Sequence, residues 1–447
     1  MNLESKAIRK LSPARAAANI LLALLCLASL GGCMLFLPPP PMRLELPADY
    51  LAIAHAGYSR SEDEYSLLGA LGASMTRVDF RWDAIEAQPG VFDFSGYDAF
   101  VNSALSNGID VLAIIDYDVR WIHSDGQLHN YIPPDRMQDW LNYVAKVVEH
   151  YAGKVKAYEI WNEPNGPFWT GSTNEFTSLT RQTAEVIRLH DPSALIVGGA
   201  FFRTPNDWAR TMIAGGAFQQ VDAISFHPYA STAENASQIS IDFMAYVRSL
   251  GFKGEFWITE VGFTSEGIYP WTLSQDQYPA QLIKTITLLS ISGAEKLVWY
   301  TLTCQYLSDQ APFGETPLSI AEAYFGVAYP DYSPKNGAYA YQALSESLQG
   351  STYAPDLIVN FSDRDWIRVF PYIREDGRLA VVAWSDFPAR IVFSAAVTGT
   401  LPNIDGPGEN RFSGQYIRLS AEPLVLVTDA IVDSSTDGQL QLYKAAF

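Results

Sequence analysis

Glu163 and Glu260 stand where acidic residues are costly. Each closes an apolar, β-prone run, the first in Tyr158-Glu159-Ile160-Trp161-Asn162-Glu163-Pro164-Asn165 and the second in Phe256-Trp257-Ile258-Thr259-Glu260-Val261-Gly262-Phe263. An ionised carboxyl set directly behind such a run risks burial without a partner, which costs several kcal/mol. Two of them on separate runs point to a purpose, and a carboxyl pair suits acid, base or nucleophilic chemistry. Glu159, Glu86 and Asp116 are the competing carboxylates; Glu159 shares the alternation of Glu163 but lies deeper, where it would serve structure. The six histidines show no paired ligand spacing, and Cys304 is the single cysteine beyond the apolar leader. No zinc pattern and no intramolecular disulfide follows, and neither a metal nor a cofactor is implied.

The elements that must position this pair alternate. From about Asp49 to Leu348, β-rich runs at Leu51–Gly57, Ser74–Trp82, Ile109–Tyr117, Val155–Glu163, Ala194–Ala200, Val221–Tyr229, Glu255–Phe263 and Lys296–Leu302 are separated by helical patterns. The clearest helices are Arg136–Tyr151, Glu175–His190, Ser237–Leu250 and Gln275–Ile291, with apolar residues at three- and four-residue steps. Eight βα units in about 300 residues predict an α/β chain folded as a (β/α)8 TIM barrel, catalytic over 49–350. An open doubly wound sheet is the alternative, but no Gly-rich phosphate turn follows an early strand. In a barrel the carboxyl ends of the strands carry the chemistry, and Glu163 and Glu260 fall at the ends of the fourth and seventh. Beyond Gly350, short runs at Trp366–Ile373, Arg378–Ser385, Arg390–Ala395, Tyr416–Leu419 and Leu424–Thr428 predict a small antiparallel β-domain over 351–447. It carries no chemical motif, and a structural appendage is favoured over a carbohydrate-binding module.

Composition narrows the partners. A formal charge of -19 disfavours nucleic acid and anionic lipid surfaces, so a neutral substrate is the easier reading. The 11 Trp and 24 Tyr suit stacking on sugar rings, although a large core uses them too. Lys6, Arg9, Lys10 and Arg15 precede an apolar stretch from Ala16 to Leu37, which predicts export through a signal segment over 1–32. Leu30-Gly31-Gly32-Cys33 resembles a bacterial lipoprotein signal with Cys33 as the lipidation site; an uncleaved signal anchor is the alternative. Either way, residues 33–48 read as a Pro-rich linker that holds the catalytic domain off the membrane. Nothing in the sequence specifies an oligomeric state.

Trp161-Asn162-Glu163-Pro164 after the fourth strand and Thr259-Glu260 after the seventh resemble the clan A glycoside hydrolases, family 39-like members first and family 5 next. Arg77-Val78-Asp79-Phe80-Arg81-Trp82, Ile85-Glu86, Gly90-Val91-Phe92-Asp93-Phe94, His227-Pro228-Tyr229 and Trp299-Tyr300 extend the resemblance over the whole barrel. It implies a retaining hydrolase that cleaves a β-linked saccharide through a covalent glycosyl-enzyme, with Glu163 as acid/base, Glu260 as nucleophile and their carboxyls about 5 to 5.5 Å apart. It further implies that Asn162 bonds the sugar 2-hydroxyl, Tyr229 orients Glu260, His227 supports substrate or acid/base, Arg77 or Arg81 keeps Glu260 ionised, and Trp299 floors a sugar subsite. Trp121, His123 and Trp169 occupy loops where further subsites would lie, although loop tryptophans more often pack on neighbouring loops. A transglycosylase would carry the same residues. A catalytically silent carbohydrate-binding lipoprotein would need neither glutamate nor Asn162. The identity of the sugar rests on loop shape, and the insertion Thr303 to Pro334 would favour exo action if it walls one end of the cleft.

Overall fold

Apolar runs that recur at the spacing of a βα unit have both faces to bury, and they do so by closing on themselves. A computed structural model describes residues 43–55, 62–265, 272–306, 321–359, 366–432 and 441–446. After a two-residue strand β1 (Leu44–Glu45) come β2 (Leu51–Ala54), β3 (Met75–Arg81), β4 (Asp110–Asp116), β5 (Ala157–Ile160), β6 (Leu195–Phe202), β7 (Ala223–His227), β8 (Glu255–Val261) and β9 (Lys296–Trp299). The eight strands from β2 to β9 form a closed barrel, sealed by parallel pairing of Leu51 with Leu297 and Ile53 with Trp299. Its lower interior is filled by Ala52, Ala54, Met75, Leu112, Ala157, Val197, Ala223, Trp257 and Val298. The barrel is thus a plugged core whose upper, carboxyl-end layer is left for polar side chains.

The helices around it follow their apolar stripes. In Met137–Tyr151 the buried residues are Trp140, Tyr143, Val144, Val147, Val148 and Tyr151, at the three- and four-residue steps of a helix face. Helix Thr173–His190 begins two residues ahead of the expected Glu175, because Ser172 and Glu175 form a reciprocal capping box. Helix Ala233–Ser249 begins ahead of the expected Ser237 for a similar reason: Thr232 accepts the backbone N–H of Asn235.

The strand containing the first glutamate is shorter than expected. It stops at Ile160, and Trp161 (φ 67°) and Glu163 (φ 42°) adopt left-handed backbone that turns the chain out of the ladder. Glu163 is therefore a loop residue, with its N–H donated to the carbonyl of Ala200 (2.9 Å) at the register shift in β6. Glu260 lies within β8.

Among the described residues, the remaining strands join β1 in a nine-stranded sheet: β10 (Thr352–Tyr353), β11 (Ile358–Val359), β12 (Ile367–Ile373), β13 (Arg378–Ser385), β14 (Ala389–Pro402), β15 (Glu409–Leu419), β16 (Leu424–Ile431) and β17 (Leu442–Ala446). Its order is β1-β10-β12-β13-β16-β14-β17-β11, with β15 on β14. Two expectations change here. Leu44–Glu45, read as part of the linker, pairs with Thr352–Tyr353 and belongs to the sheet. The sheet is also not wholly antiparallel, since β11 runs parallel to β17. One face packs on the barrel through Phe370, Tyr372, Trp384, Val425 and Val427, with a hydrogen bond between Ser290 and Tyr372 (3.0 Å).

Among the described residues no helix is long and apolar enough to cross a membrane. The signal segment 1–32, Cys33, and Ala56 and Gly57 of the first predicted strand lie outside the described residues.

Gly262 follows β8 where any Cβ would fall on the carbonyl oxygen of Tyr300. Gly262→Ala is expected to destabilise the fold by about 1–3 kcal/mol through overpacking, read as a lower midpoint in denaturant unfolding.

Candidate active site

The polar layer at the carboxyl end of the barrel is organised by Arg77 of β3. Its guanidinium donates to Glu159 Oε2 (2.6 Å), to Glu260 Oε1 (2.6 Å) and to Asn162 Oδ1 (3.0 Å). Arg77 is 3% exposed and Glu159 fully buried, so none of this charge is solvated by bulk water. Burial opposes the arginine's charge, but the two glutamates outweigh it and hold the guanidinium more firmly protonated than usual. Arg81, the other candidate partner of Glu260, instead bonds Asp83 through two nitrogens (2.9 and 2.6 Å).

Glu260 receives a second donor, the Tyr229 hydroxyl on Oε2 (3.0 Å), and His227 Nδ1 lies 3.6 Å from the same oxygen. Burial alone would push this carboxyl up. The charges of His227 and Arg77, with the hydrogen bonds from Arg77 and Tyr229, override burial and hold it below the ordinary value.

Glu163 faces this group from the loop after β5. Its Oε1 is 2.8 Å from His227 Nδ1, and His227 Nε2 is 3.1 Å from the Thr259 hydroxyl. Facing two carboxyls, Nδ1 must carry a proton whenever both are ionised, and Nε2 shares the remaining hydrogen bond with the Thr259 hydroxyl. One ligand atom each from Glu163, His227 and Glu260 lie within 4.8 Å of one another. Oxygens of the two carboxyls that close suit a retaining pair, spaced about 5–5.5 Å to act in turn on one anomeric carbon, rather than an inverting pair held about 6.5–9.5 Å apart around a water. The same three groups could in principle ligate a metal ion, but a cation there would face the guanidinium already bonded to Glu260.

Asn162 is fixed at both ends of its amide, accepting from Arg77 and donating to the Tyr117 hydroxyl (3.2 Å). The second Nδ2 hydrogen remains for a ligand. Trp299 does not floor the cleft. It is fully buried, its indole N–H donates to Tyr278 (3.1 Å), and it packs among the helices outside the barrel. Strand alternation explains the correction: Val298 plugs the interior, so Tyr300 shares its face and Trp299 does not. Tyr300 is half-buried and donates to Glu322 (2.9 Å). Parity along the strand was the signal that could have found it; nothing in the sequence pattern marked Tyr117 or Glu322, and Thr259 entered only as the residue ahead of Glu260 in its motif.

The loop residues go to structure. Trp121 donates to the carbonyl of Glu86 and packs edge-on against Trp82. Trp169 is buried against Trp161 and Tyr131. His123 bonds Asp118 (2.7 Å), and Glu86 accepts from Trp82 and the N–H of Gly90.

A closed (β/α)8 barrel in which glutamates from the fourth and seventh units meet over an arginine of the second defines a clan A glycoside hydrolase. Residues 55–299 match the family described as Cellulase (glycosyl hydrolase family 5), more than half of the 447 residues, and the chain belongs to that family. Endo-1,4-beta-xylanase C of Phanerodontia chrysosporium is 25% identical over 162 residues, covering 32% of this chain and 36% of that protein. Endo-1,4-beta-xylanase A of the same organism is 27% identical over 153 residues, 32% of this chain and 35% of that protein. The match thus spans about a third of the length of these curated relatives. Among solved structures, a family 39 glycoside hydrolase from Bacteroides cellulosilyticus WH2 superposes with a TM-score of 0.63 at 18% identity, covering 86% of this chain and 81% of that one. A monomeric beta-xylosidase from Caulobacter crescentus CB15 gives 0.63 at 15% identity, with coverage of 86% and 96%. At these identities the likeness is one of fold. Family 39, placed first from the motifs, appears among the fold neighbours, whereas the sequence family is family 5, placed second.

Two expected outcomes follow from this geometry. Arg77→Met strands two buried carboxylates and should cost about 3–5 kcal/mol of stability at neutral pH, measured by chemical denaturation. Because the folded-state value of Glu260 lies below the ordinary 4.5, its contribution is present above that pH and lost as pH falls through the folded value. Tyr229→Phe removes one stabilising donor from the ionised Glu260, so the acid limb of kcat/KM should move to higher pH with little change in thermal stability.

Proposed function

We propose that this protein is a retaining glycosidase that hydrolyses a β-linked saccharide through a covalent glycosyl-enzyme. The observation that carries the reading is the approach of the Glu163 and Glu260 carboxyls to within 4.8 Å, with both oxygens of Glu260 already bonded to donors. Glu260, held ionised, attacks the anomeric carbon, while Glu163 passes its proton to the departing glycosidic oxygen. Glu163 then takes a proton from the water that releases the sugar from Glu260. The remaining amide hydrogen of Asn162 is available to the sugar 2-hydroxyl, a bond that strengthens as positive charge develops on the ring. His227 orients Glu163, and Arg77 and Tyr229 orient Glu260.

A β-1,4-linked xylose chain is the first substrate to test, since the sequence relatives are xylanases. A transglycosylase would share every residue and differ in the acceptor. A purely binding role is disfavoured, because binding needs neither an ionised Glu260 nor a facing Glu163. We further propose that the chain is exported and tethered to the membrane of the bacterial cell envelope through Cys33 or the apolar leader. The basic leader, Leu30-Gly31-Gly32-Cys33 and the prolines at 38–41 support that reading. Metabolic labelling with a radiolabelled or alkyne fatty acid, lost in Cys33→Ser, tests the lipid.

Glu260→Ala should abolish turnover of xylan and aryl β-glycosides while the protein remains folded. Glu163→Gln should keep measurable activity only on aryl glycosides with good leaving groups, where no acid is needed for departure. A 2-deoxy-2-fluoro glycoside should add one glycosyl mass to the Glu260 peptide. Wild-type rates in either variant would remove the assignment.

A further inference from the structure

Above Arg77 the barrel carries a second pair of acids that the mechanism leaves unused. The inner face of β3 presents Arg77, Asp79 and Arg81 in alternation, and the register pairs Asp79 with Ile114 and Arg81 with Asp116. Asp116 shares the inner face of β4 with Leu112, which plugs the barrel below it. Asp116 is fully buried, and no donor among the described residues reaches either of its oxygens. The group within reach is the carboxyl of Asp79. Two bare carboxylates cannot sit together in such a place; one proton between them supplies the missing donor and removes one charge. The surroundings agree. Burial and the neighbouring Asp79 push the Asp116 carboxyl well above its ordinary value, and burial pushes Asp79 up against the pull of Arg77. Both arginines on this face are bonded to other carboxylates, Arg77 to Glu159 and Glu260 and Arg81 to Asp83.

Asp79, unlike Asp116, is only half-buried. It stands one step of the inner-face alternation beyond Arg77, whose guanidinium holds Glu260 and Asn162, so its open side belongs to the same carboxyl-end layer of the barrel. Tyr117 in turn accepts from Asn162. A sugar seated on Glu260 with its 2-hydroxyl at Asn162 would occupy the layer that Arg77 and Asp79 share.

We propose that Asp79 and Asp116 share a proton in the floor of the cleft, that Asp79 contacts a hydroxyl of the sugar next to Glu260, and that the pair admits only an uncharged sugar there. This rests on the glycosidase reading above. A uronate carboxylate in that position would meet Glu260, Glu163 and the acid pair, with both neighbouring guanidinium groups already committed. Asp79 is a substrate-contacting residue and Asp116 its positioning residue.

The test uses 4-nitrophenyl β-xyloside, β-glucoside, β-mannoside and β-glucuronide, with the monodeoxy forms of the best neutral one. Asp79→Ala should lower kcat/KM on that glycoside by about 10²-fold or more. The monodeoxy form lacking the contacted hydroxyl should impose the same loss on the wild type and no further loss on the variant. Asp79→Asn, which preserves shape, guards against misfolding and should shift the neutral-to-glucuronide ratio toward the glucuronide. Asp116→Ala should mimic Asp79→Ala, whereas Asp116→Asn, whose amide still donates to Asp79, should restore discrimination among the deoxy forms. Equal losses on every sugar, or none, would overturn the proposal. If the wild type turns over no glycoside, the reading of function fails, and calorimetric binding of xylose, glucose and glucuronate decides the pair separately. Neutral-sugar affinity lost in Asp79→Ala upholds it, and glucuronate bound by the wild type as tightly as xylose sinks it.

Discussion

One guanidinium serves three masters at the mouth of this barrel. Arg77 is buried, and it can be so only because Glu159 and Glu260 each offer an oxygen at 2.6 Å and Asn162 a carbonyl at 3.0 Å. The demand runs in both directions: each carboxylate would be an unpaired charge in a dry site without the arginine. The planar fork forces Glu260 and Asn162 into fixed orientations relative to one another, although they arrive from different strands. Charge balance and geometry are thus the same constraint, and the ionised state of Glu260 is its chemical result. Lysine, with a single point of charge, could not span three acceptors set so far apart.

The second constraint is backbone shape. Trp161 and Glu163 hold left-handed conformations that cost on the order of 1–3 kcal/mol each in residues with side chains. They persist because the backbone around them is committed: Trp161 donates to the carbonyl of Ile115 (3.0 Å), Glu163 to that of Ala200 (2.9 Å), and the Trp161 indole to Phe168 (2.7 Å). The register shift in β6 that offers the Ala200 carbonyl is therefore part of the site. Without the two left-handed turns, the chain would continue as a strand and carry Glu163 past His227.

Much of this was legible in the residues. Alternation of β-prone and amphipathic segments specified eight parallel strands covered on both faces, and the lack of a Gly-rich phosphate turn after an early strand favoured the closed barrel over an open sheet. The two glutamates stood out because each followed an apolar run, whereas Arg77 and Arg81 share one strand face and were separated only by the bonds of Arg77 to Glu260 and of Arg81 to Asp83. What sequence did not disclose is what depends on exact strand ends and on contacts between distant segments. Trp299 was the more conspicuous aromatic, yet one residue of alternation turns it outward and brings Tyr300 in. The strand at Leu44–Glu45 is two residues long and pairs across some 300 positions, so no local pattern could signal it. Asp79 and Asp116 lie in runs that read as ordinary strands, and their meeting depends on the register between β3 and β4.

That two-residue strand has a mechanical meaning. Leu44 and Glu45 are laddered to Tyr353 and Thr352, Leu46 donates to the carbonyl of Ser351, and Arg43 is clasped to Asp356 (2.8 Å). Any pull on the chain ahead of Arg43 is taken up first by this hem of the sheet, in shear along several bonds loaded together. The barrel strands and the carboxyls they carry are strained only after that seam has parted.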